Sequence, residues 1–263
     1  MKKRLDLHLY EVGFFESRHA ARSAIMAGQV SVDGKTEYKP GKQVTGKEEI
    51  RIKENSQLFV SRGGVKLDGV LDKLGVDPFG KDILDVGAST GGFTDCLLKR
   101  GARRVIALDV GKGQLHWKLR NDDRVFVLEG VNARYLKREE LPFVPDLAVI
   151  DVSFISLEKV LEPVAKALKE GSNIVVLFKP QFEAGRGCVG KGGVIKDKYL
   201  HVELLDKFWM KTQRMGLGVK AISASPIRGH SGNIEYFLKI GKGESIERSA
   251  IEEEVFTAFN ELE

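Results

Sequence analysis

Cysteine is nearly missing from this chain: Cys96 and Cys188 are the two among 263 residues. So few thiols exclude a disulfide framework and a cysteine zinc site, and they predict a reducing, cytoplasmic setting. Cys96 falls in a helical pattern and is expected to pack as a small apolar residue. The five histidines (His8, His19, His116, His201, His230) show no ligand-like spacing, so no metal is expected. No apolar run approaches the ~20 residues that cross a bilayer. The basic start Met1-Lys2-Lys3-Arg4 runs into Asp6, His8 and Glu11 instead of a signal-peptide core. Internal repeats, low-complexity tracts and coiled-coil heptads are absent as well.

What is present is enough apolar material, 42% of the chain, for a proper core, with 30% charged residues. The length suits one large domain plus a small one. A net charge of +5 leans towards a polyanionic partner, because Lys and Arg displace counterions from phosphates.

The most informative stretch is Asp85-Val86-Gly87-Ala88-Ser89-Thr90-Gly91-Gly92-Phe93-Thr94, between the apolar Ile83-Leu84 and a helical segment. A carboxylate at a strand tip, then glycines, then a helix start lets a ligand lie against bare backbone. The run lacks the G-x-G-x-x-G spacing of dinucleotide binders. It suits a nucleoside joined to an amino acid, which points to S-adenosylmethionine; the plain alternative is an ordinary βα turn.

Residues 1–59 read as a separate unit with its linker, and 60–263 as the larger domain. In the first, a helix is expected over 16–28, with Ser17 as N-cap and Gly28 just past its end. Strand-like pieces follow at 29–32 and 49–52, the first turning at Asp33-Gly34. Arg18 and Arg22 share a helix face, and Arg4, Lys35, Lys39 and Lys42 extend it; a solvated surface is the default meaning of such a set. Strands are expected at 82–86, 104–109, 125–128, 147–151, 173–178, 219–224 and 234–240, and helices at 64–74, 92–100, 156–169 and 198–215. Nearly all-apolar strands such as Leu147-Ala148-Val149-Ile150 suit a parallel sheet covered on both faces. The last two strands suggest an antiparallel pair at one edge. Trp117, Phe208 and Trp209 are expected in the core.

Ligands of doubly wound sheets sit at the carboxyl ends of the strands. Asp85 ends the first. Asp109 ends the second, where an acid can accept ribose hydroxyls. Asn132 follows the third and can touch an adenine edge, and Asp151 ends the fourth. Each would singly be a cap or a loop residue. Lys179 follows a buried strand and emerges at the same rim, where loss of water favours a neutral, proton-accepting amine. Lys66 is expected in the first turn of the helix entering the sheet, and Glu235 faces the rim from the last strand. Jointly they offer a base, electrostatic support and orienters for deprotonating an alcohol. Gly185-x-x-x-x-Gly190-Lys191 mimics a phosphate loop, but Gly192 stands where a Ser or Thr is needed. Residues 183–196 therefore read as a glycine-rich loop with Arg186, Lys191 and Lys196 available to RNA phosphates.

Arg4-Leu5-Asp6, Ser17-Arg18-x-x-Ala21 and Ile25-x-x-Gly28-x-Val30-x-Val32-Asp33-Gly34 resemble the S4-type RNA-binding domain, which implies RNA contact through Arg4, Arg18, Arg22 and Lys35. Lys66, Asp151, Lys179 and Glu235 resemble the Lys-Asp-Lys-Glu tetrad of FtsJ-type ribose 2′-O-methyltransferases. Ser61-Arg62-Gly63-Gly64, Asp109-Val110-Gly111-Lys112-Gly113-Gln114-Leu115, Asp151-Val152-Ser153-Phe154, Lys179-Pro180-Gln181-Phe182-Glu183 and Ser231-Gly232-Asn233-Ile234-Glu235-Tyr236-Phe237 are similar to the TlyA family end to end. Lys112 departs from that pattern, which carries an aromatic residue there. The resemblance implies an α/β, Rossmann-like S-adenosylmethionine-dependent methyltransferase fold: a seven-stranded, mostly parallel sheet behind a small α+β S4-like N-terminal domain. It also implies methyl transfer to the ribose 2′-OH of cytidine in 16S or 23S ribosomal RNA, with rRNA or ribosomal subunits as partner. The catalytic set would be Lys66, Asp151, Lys179 and Glu235. Asp85, Gly87, Ala88, Ser89, Thr90, Gly91, Gly92, Phe93, Thr94, Asp109, Asn132 and Asp151 would hold the methyl donor, while Arg62 and Phe154 would meet RNA. Two other readings compete. A membrane-active haemolysin, the family's older label, demands an insertable segment; a catalytically inactive RNA-binding assembly factor is opposed by the intact tetrad.

Overall fold

The computed structural model describes residues 3–15, 18–26, 28, 30–52, 58–153, 155–185, 190 and 192–262, with His19, Ala20 and Ser23 by backbone alone. Ser17, Phe154, Arg186, Cys188 and Lys191, singled out above, lie outside them. The chain divides into two compact units, Met1–Gln57 and Leu58–Glu263. Among the described residues no helix is long and apolar enough to cross a membrane.

In the first unit, helices Leu5–Glu11 and Arg18–Met26 pack together. Leu5 and Leu9, one turn apart, meet Ala21, Ala24 and Ile25 and the strand residues Val30 and Val32 in one small core. Strand Val30–Val32 lies between Lys35–Glu37 and Ile50–Ile52, antiparallel to both. The hairpin turn at Asp33-Gly34 takes φ of 51° and 77°, the primed geometry whose twist matches paired strands. The helix Leu5–Glu11 was not expected from the sequence, and neither were the strands Lys35–Glu37 and Gln43–Val44.

The second unit is a sheet of β1 (Asp82–Val86), β2 (Arg104–Asp109), β3 (Val125–Glu129), β4 (Leu147–Ile150), β5 (Asn173–Phe178), β6 (Leu217–Ala224) and β7 (Tyr236–Lys242). Its spatial order is β6-β7-β5-β4-β1-β2-β3, parallel except where β7 runs antiparallel between β5 and β6. Helices α1 (Arg62–Leu71) and α2 (Gly92–Lys99) cover one face, and α3 (Glu158–Ala167), α4 (Lys198–Arg214) and α5 (Arg248–Glu261) the other.

Period-two alternation, with both faces covered, explains why the strand interiors are mostly apolar. Ile83, Val105, Val149 and Val175 point to the α1/α2 side, while Leu84, Ile106, Ala148 and Val176 point to the α3/α4/α5 side. Each large side chain buried this way contributes roughly 1.5–3 kcal/mol. The strand order reverses between β1 and β4, and that switch opens a crevice at their carboxyl ends.

Two expectations are corrected. Trp117 is 50% exposed, ring against His116 in the loop after β2, because nothing covers that loop's outer side. Phe208 is buried, and Trp209 packs at the edge of the core. Strand β7 starts at Tyr236, not 234; just before it, the Asn233 side chain bonds residues 193 and 195.

Candidate active site

The crevice is built from glycines first. Gly87 takes φ of +84°, and a Cβ there would fall 2.2 Å from the Asp151 carbonyl oxygen. Gly87 N–H donates to Leu108 O at 2.8 Å, and Asp151 N–H donates to Val86 O at 2.9 Å. Those bonds lock the ends of β1, β2 and β4, so Asp151 is fixed at the crevice floor. A second tight contact brings α1 over the glycine run: a Cβ on Gly64 would lie 2.8 Å from Gly92 O. Glycine disfavours helices, yet Gly63 and Gly64 sit inside α1 because only bare backbone permits this approach. Lys66 is thereby carried to the crevice from the second turn of α1, not the first as expected.

Two adjoining cavities result. One, of about 470 Å³, is lined by Gly87, Ser89, Asp109, Asn132 and Asp151, with Val131 and Ile155 as apolar walls. The other, of about 200 Å³, is lined by Arg62, Lys66, Ala88, Thr90, Gly92, Phe93 and His230, and shares Gly87, Ser89 and Asp151 with the first.

Four charged groups from distant parts of the chain form two ion pairs here: Lys66 and Asp151 line the cavities, and Glu235 and Lys179 are in contact with them. Lys66 Nζ donates to Glu235 Oε2 at 2.6 Å, with side chains 10% and 3% exposed. Lys179 Nζ stands 2.5 Å from Asp151 Oδ1. That approach is Coulombic, since Asp151 Oδ1 has no donor hydrogen in line with it; the directed bond from Lys179 goes to Ser153 Oγ at 3.1 Å. The register setting Phe178 opposite Tyr236 brings the next residues, Lys179 and Glu235, to one end of the sheet. Gln181 Nε2 donates to Glu235 Oε1 at 3.4 Å. Ser153 and Gln181 were not singled out in the sequence, because a lone Ser or Gln carries no signal of its partner.

Other expected residues take supporting places. Asp85 is fully buried behind the glycine run, lines neither cavity, and accepts from Thr94 Oγ1 at 2.6 Å. Burial lifts its carboxyl to about 7, the Thr94 hydroxyl opposing and the Asp151 charge adding to the shift. Gly91 faces Leu115 and Leu119, so Asp85, Gly91 and Thr94 shape the cradle from behind. Asp109 does line the larger cavity, but its two oxygens already accept from Ser89 N–H at 2.8 Å and Gly111 N–H at 2.7 Å. Each keeps one lone pair for a ligand. Asn132 lines the same cavity while its Oδ1 accepts from Arg134 N–H at 3.1 Å. Arg62 lines the smaller cavity and donates to Arg228 O.

In the first unit the buried Asp6 accepts from Arg4 Nε at 3.0 Å and Arg18 Nε at 3.1 Å. Both guanidinium groups remain about half exposed, and Arg22 and Lys35 are exposed beside no acid partner among the described residues. Among the described residues no group of His, Cys, Asp and Glu could hold a metal. Cys96 is buried in the α1/α2 core.

Comparison with known proteins adds the family. Residues 59–242 match the model of FtsJ-like methyltransferases, and residues 3–50 match the S4 domain. TlyA of Mycobacterium tuberculosis (strain CDC 1551 / Oshkosh), a 16S/23S rRNA (cytidine-2′-O)-methyltransferase, is 44% identical over 238 residues, covering 90% of this chain and 89% of TlyA. Hemolysin A of Brachyspira hyodysenteriae is 43% identical over 234 residues, covering 89% of this chain and 97% of that protein. A solved structure of a hemolysin candidate from Streptococcus thermophilus superposes with a TM-score of 0.77 at 39% identity, covering 99% of this chain and 96% of that one.

Proposed function

The chain belongs to the FtsJ-like methyltransferase family, and from that premise we propose that it methylates the ribose 2′-OH of cytidine in ribosomal RNA, with S-adenosylmethionine as methyl donor. The observation that carries this reading is the pair of amine–carboxylate contacts, Lys66–Glu235 and Lys179–Asp151, of which Lys66 and Asp151 line a glycine-rich cavity.

The larger cavity, about 470 Å³, falls in the range that encloses a nucleoside-sized ligand. The residues fit S-adenosylmethionine: Gly87 leaves room where a Cβ would collide, Asp109 and Asn132 present polar groups, and Val131 and Ile155 give apolar walls. Bound there, the donor supplies an electrophilic methyl group on a sulfonium. The chain's own residues do the rest. Lys179, once the proton held in its ion pair with Asp151 has left to solvent, accepts the 2′-hydroxyl proton at Nζ, and Asp151 stabilises the charge that the amine regains. Lys66 stabilises negative charge growing on the ribose oxygen, and Glu235 with Gln181 fixes the Lys66 amine. Positioning of this kind is worth roughly 7–11 kcal/mol when it creates a near-attack geometry. A cytidine in folded RNA must leave its stack to reach these groups.

The S4 domain supplies recognition through Arg4, Arg18, Arg22 and Lys35, with Arg62 at the cavity mouth. Phosphate contacts position RNA without reading its sequence. Ribosomal RNA or subunits as the partner place the work in the cytoplasm. The test is transfer of tritiated methyl from S-adenosylmethionine to isolated ribosomal subunits, followed by alkaline hydrolysis. A blocked 2′-oxygen prevents strand cleavage at its own phosphodiester, so the label should appear in alkali-resistant dinucleotides. Label confined to mononucleotides would assign the methyl to a base and overturn the reading.

A further inference from the structure

One side chain on the smaller cavity has no part in the scheme above. His230 lines that cavity beside Arg62, Lys66 and Asp151, and its ring makes no hydrogen bond or ion pair among the described residues. It is exposed, yet the turn that presents it is firmly held. Arg62 Nη2 donates to Arg228 O at 2.8 Å at one end. Inside the turn, Gly229 N–H donates to Asn233 O at 2.8 Å and Gly232 N–H to Gly229 O at 2.9 Å. At the other end the fully buried Asn233 gives its amide hydrogen to Gly193 O at 2.8 Å and accepts from Ile195 N–H at 3.0 Å. Gly229 sits so close to the tetrad that a Cβ would fall 2.3 Å from Glu235 Oε1. A bare surface histidine does not need such bracing; one aimed at a substrate does.

We infer that His230 is a further substrate-binding residue, which with Arg62 takes the RNA backbone phosphate next to the reacting ribose. This rests on the 2′-O-methyltransferase reading. The geometric reason is covalent: each ribose 2′-OH lies beside its own 3′-phosphate. A hydroxyl seated at Lys66 and Lys179 must therefore bring an anionic phosphate to the wall of the same cavity. Apart from the hydroxyls of Ser61, Ser89 and Thr90, the side-chain donors on that wall not already committed to a carboxylate are the imidazole of His230 and the remaining guanidinium N–H groups of Arg62. Asp151, the acid there, is in contact with Lys179.

The test compares wild type, His230→Ala, His230→Arg and Asn233→Ala for RNA binding by filter retention with S-adenosylhomocysteine present, and for methyl transfer across salt concentrations. Losing a charge-assisted bond should raise KM for RNA roughly tenfold in His230→Ala, move kcat far less, and leave donor affinity in place. His230→Arg should restore tight binding, with a salt slope steeper than that of His230→Ala by about 0.7 per phosphate contact. Asn233→Ala, which releases the turn but keeps the imidazole, should raise KM in the same direction. An unaltered KM in His230→Ala, or failure of His230→Arg to restore binding, overturns the inference. If wild type transfers no methyl to ribose, the functional reading fails on its own, while filter binding still decides the role of His230.

Discussion

In the first unit a carboxylate 2% exposed, Asp6, holds two arginines whose side chains are 46% and 52% exposed. In the second, Glu235 at 3% holds a single lysine at 10%. The same device, a buried acid gripping a cation, has different consequences in the two places. Around Asp6 the cations keep most of their N–H donors in solvent, where phosphates arrive, and the acid only sets their direction. Around Glu235 the cation is withdrawn into a cavity, where it can act on one atom. Recognition tolerates exposure because it sums many weak contacts; stabilising charge on a single oxygen needs one group kept out of water.

Removing one cation from each site should separate the two uses most sharply. Lys66→Ala leaves Glu235 buried and unpaired, which costs about 3–5 kcal/mol of stability and lowers single-turnover methyl transfer on the order of 10²–10³-fold. Arg18→Ala leaves Asp6 still paired with Arg4 and should cost ~1 kcal/mol or less. Equal losses in thermal unfolding and turnover would break the comparison.

A third buried acid sharpens it, because Asp85 has no cation at all. Its native carboxyl is raised to about 7, above its unfolded value, so the folded protein holds the extra proton. Stability from this group is therefore greatest below about pH 4, falls as pH rises to 7, and is level beyond. Asp85→Asn keeps an acceptor for Thr94 and should raise stability at pH 8 by on the order of 2 kcal/mol, with little gain at pH 4. Urea unfolding at the two pH values measures it, and a gain equal at both would contradict the assignment. His201 gives the opposite slope. Burial holds its imidazole down at about 4, so its contribution is lost as pH falls from the ordinary histidine range towards 4.

Asp6→Asn should release Arg4 and Arg18 together, weakening RNA binding by about 1 kcal/mol while turnover at saturating RNA persists. Gel-shift titration beside a saturation assay distinguishes this from damage to the catalytic unit. The smallest change is Arg22→Ala, which removes one exposed cation and should lower the slope of log affinity against log salt by about 0.7–0.9. A slope unchanged within error would remove Arg22 from the RNA face.

The catalytic unit was more legible in the sequence than the first unit, and for a physical reason. Strands covered on both faces are apolar over most of their length, with polar residues marking their ends, so β1, β2 and β5 were readable to the residue. The strands Lys35–Glu37 and Gln43–Val44 are too short to show a period and are mostly exposed. Boundaries slipped where tertiary contacts override local propensity: α1 begins at Arg62, ahead of the glycines, because the bare backbone of Gly64 packs on Gly92 there. Asp151 and Lys179 stood out as charged residues just past apolar strands, while Lys66 and Glu235 joined them through the resemblance to the family's tetrad. What could not be read is satisfaction: that Asp109 and Asn132 already serve backbone N–H groups, that Asp85 faces inward, that Ser153 and His230 line the cavities, and that Gln181 bonds Glu235.

The most direct test is single-turnover methyl transfer to ribosomal subunits by Lys179→Ala, with donor binding measured in parallel by calorimetry. If Lys179 Nζ takes the ribose proton, transfer should fall by at least about a hundredfold while the variant still binds S-adenosylmethionine and RNA. A variant that methylates ribose at the wild-type rate would contradict the account at its centre.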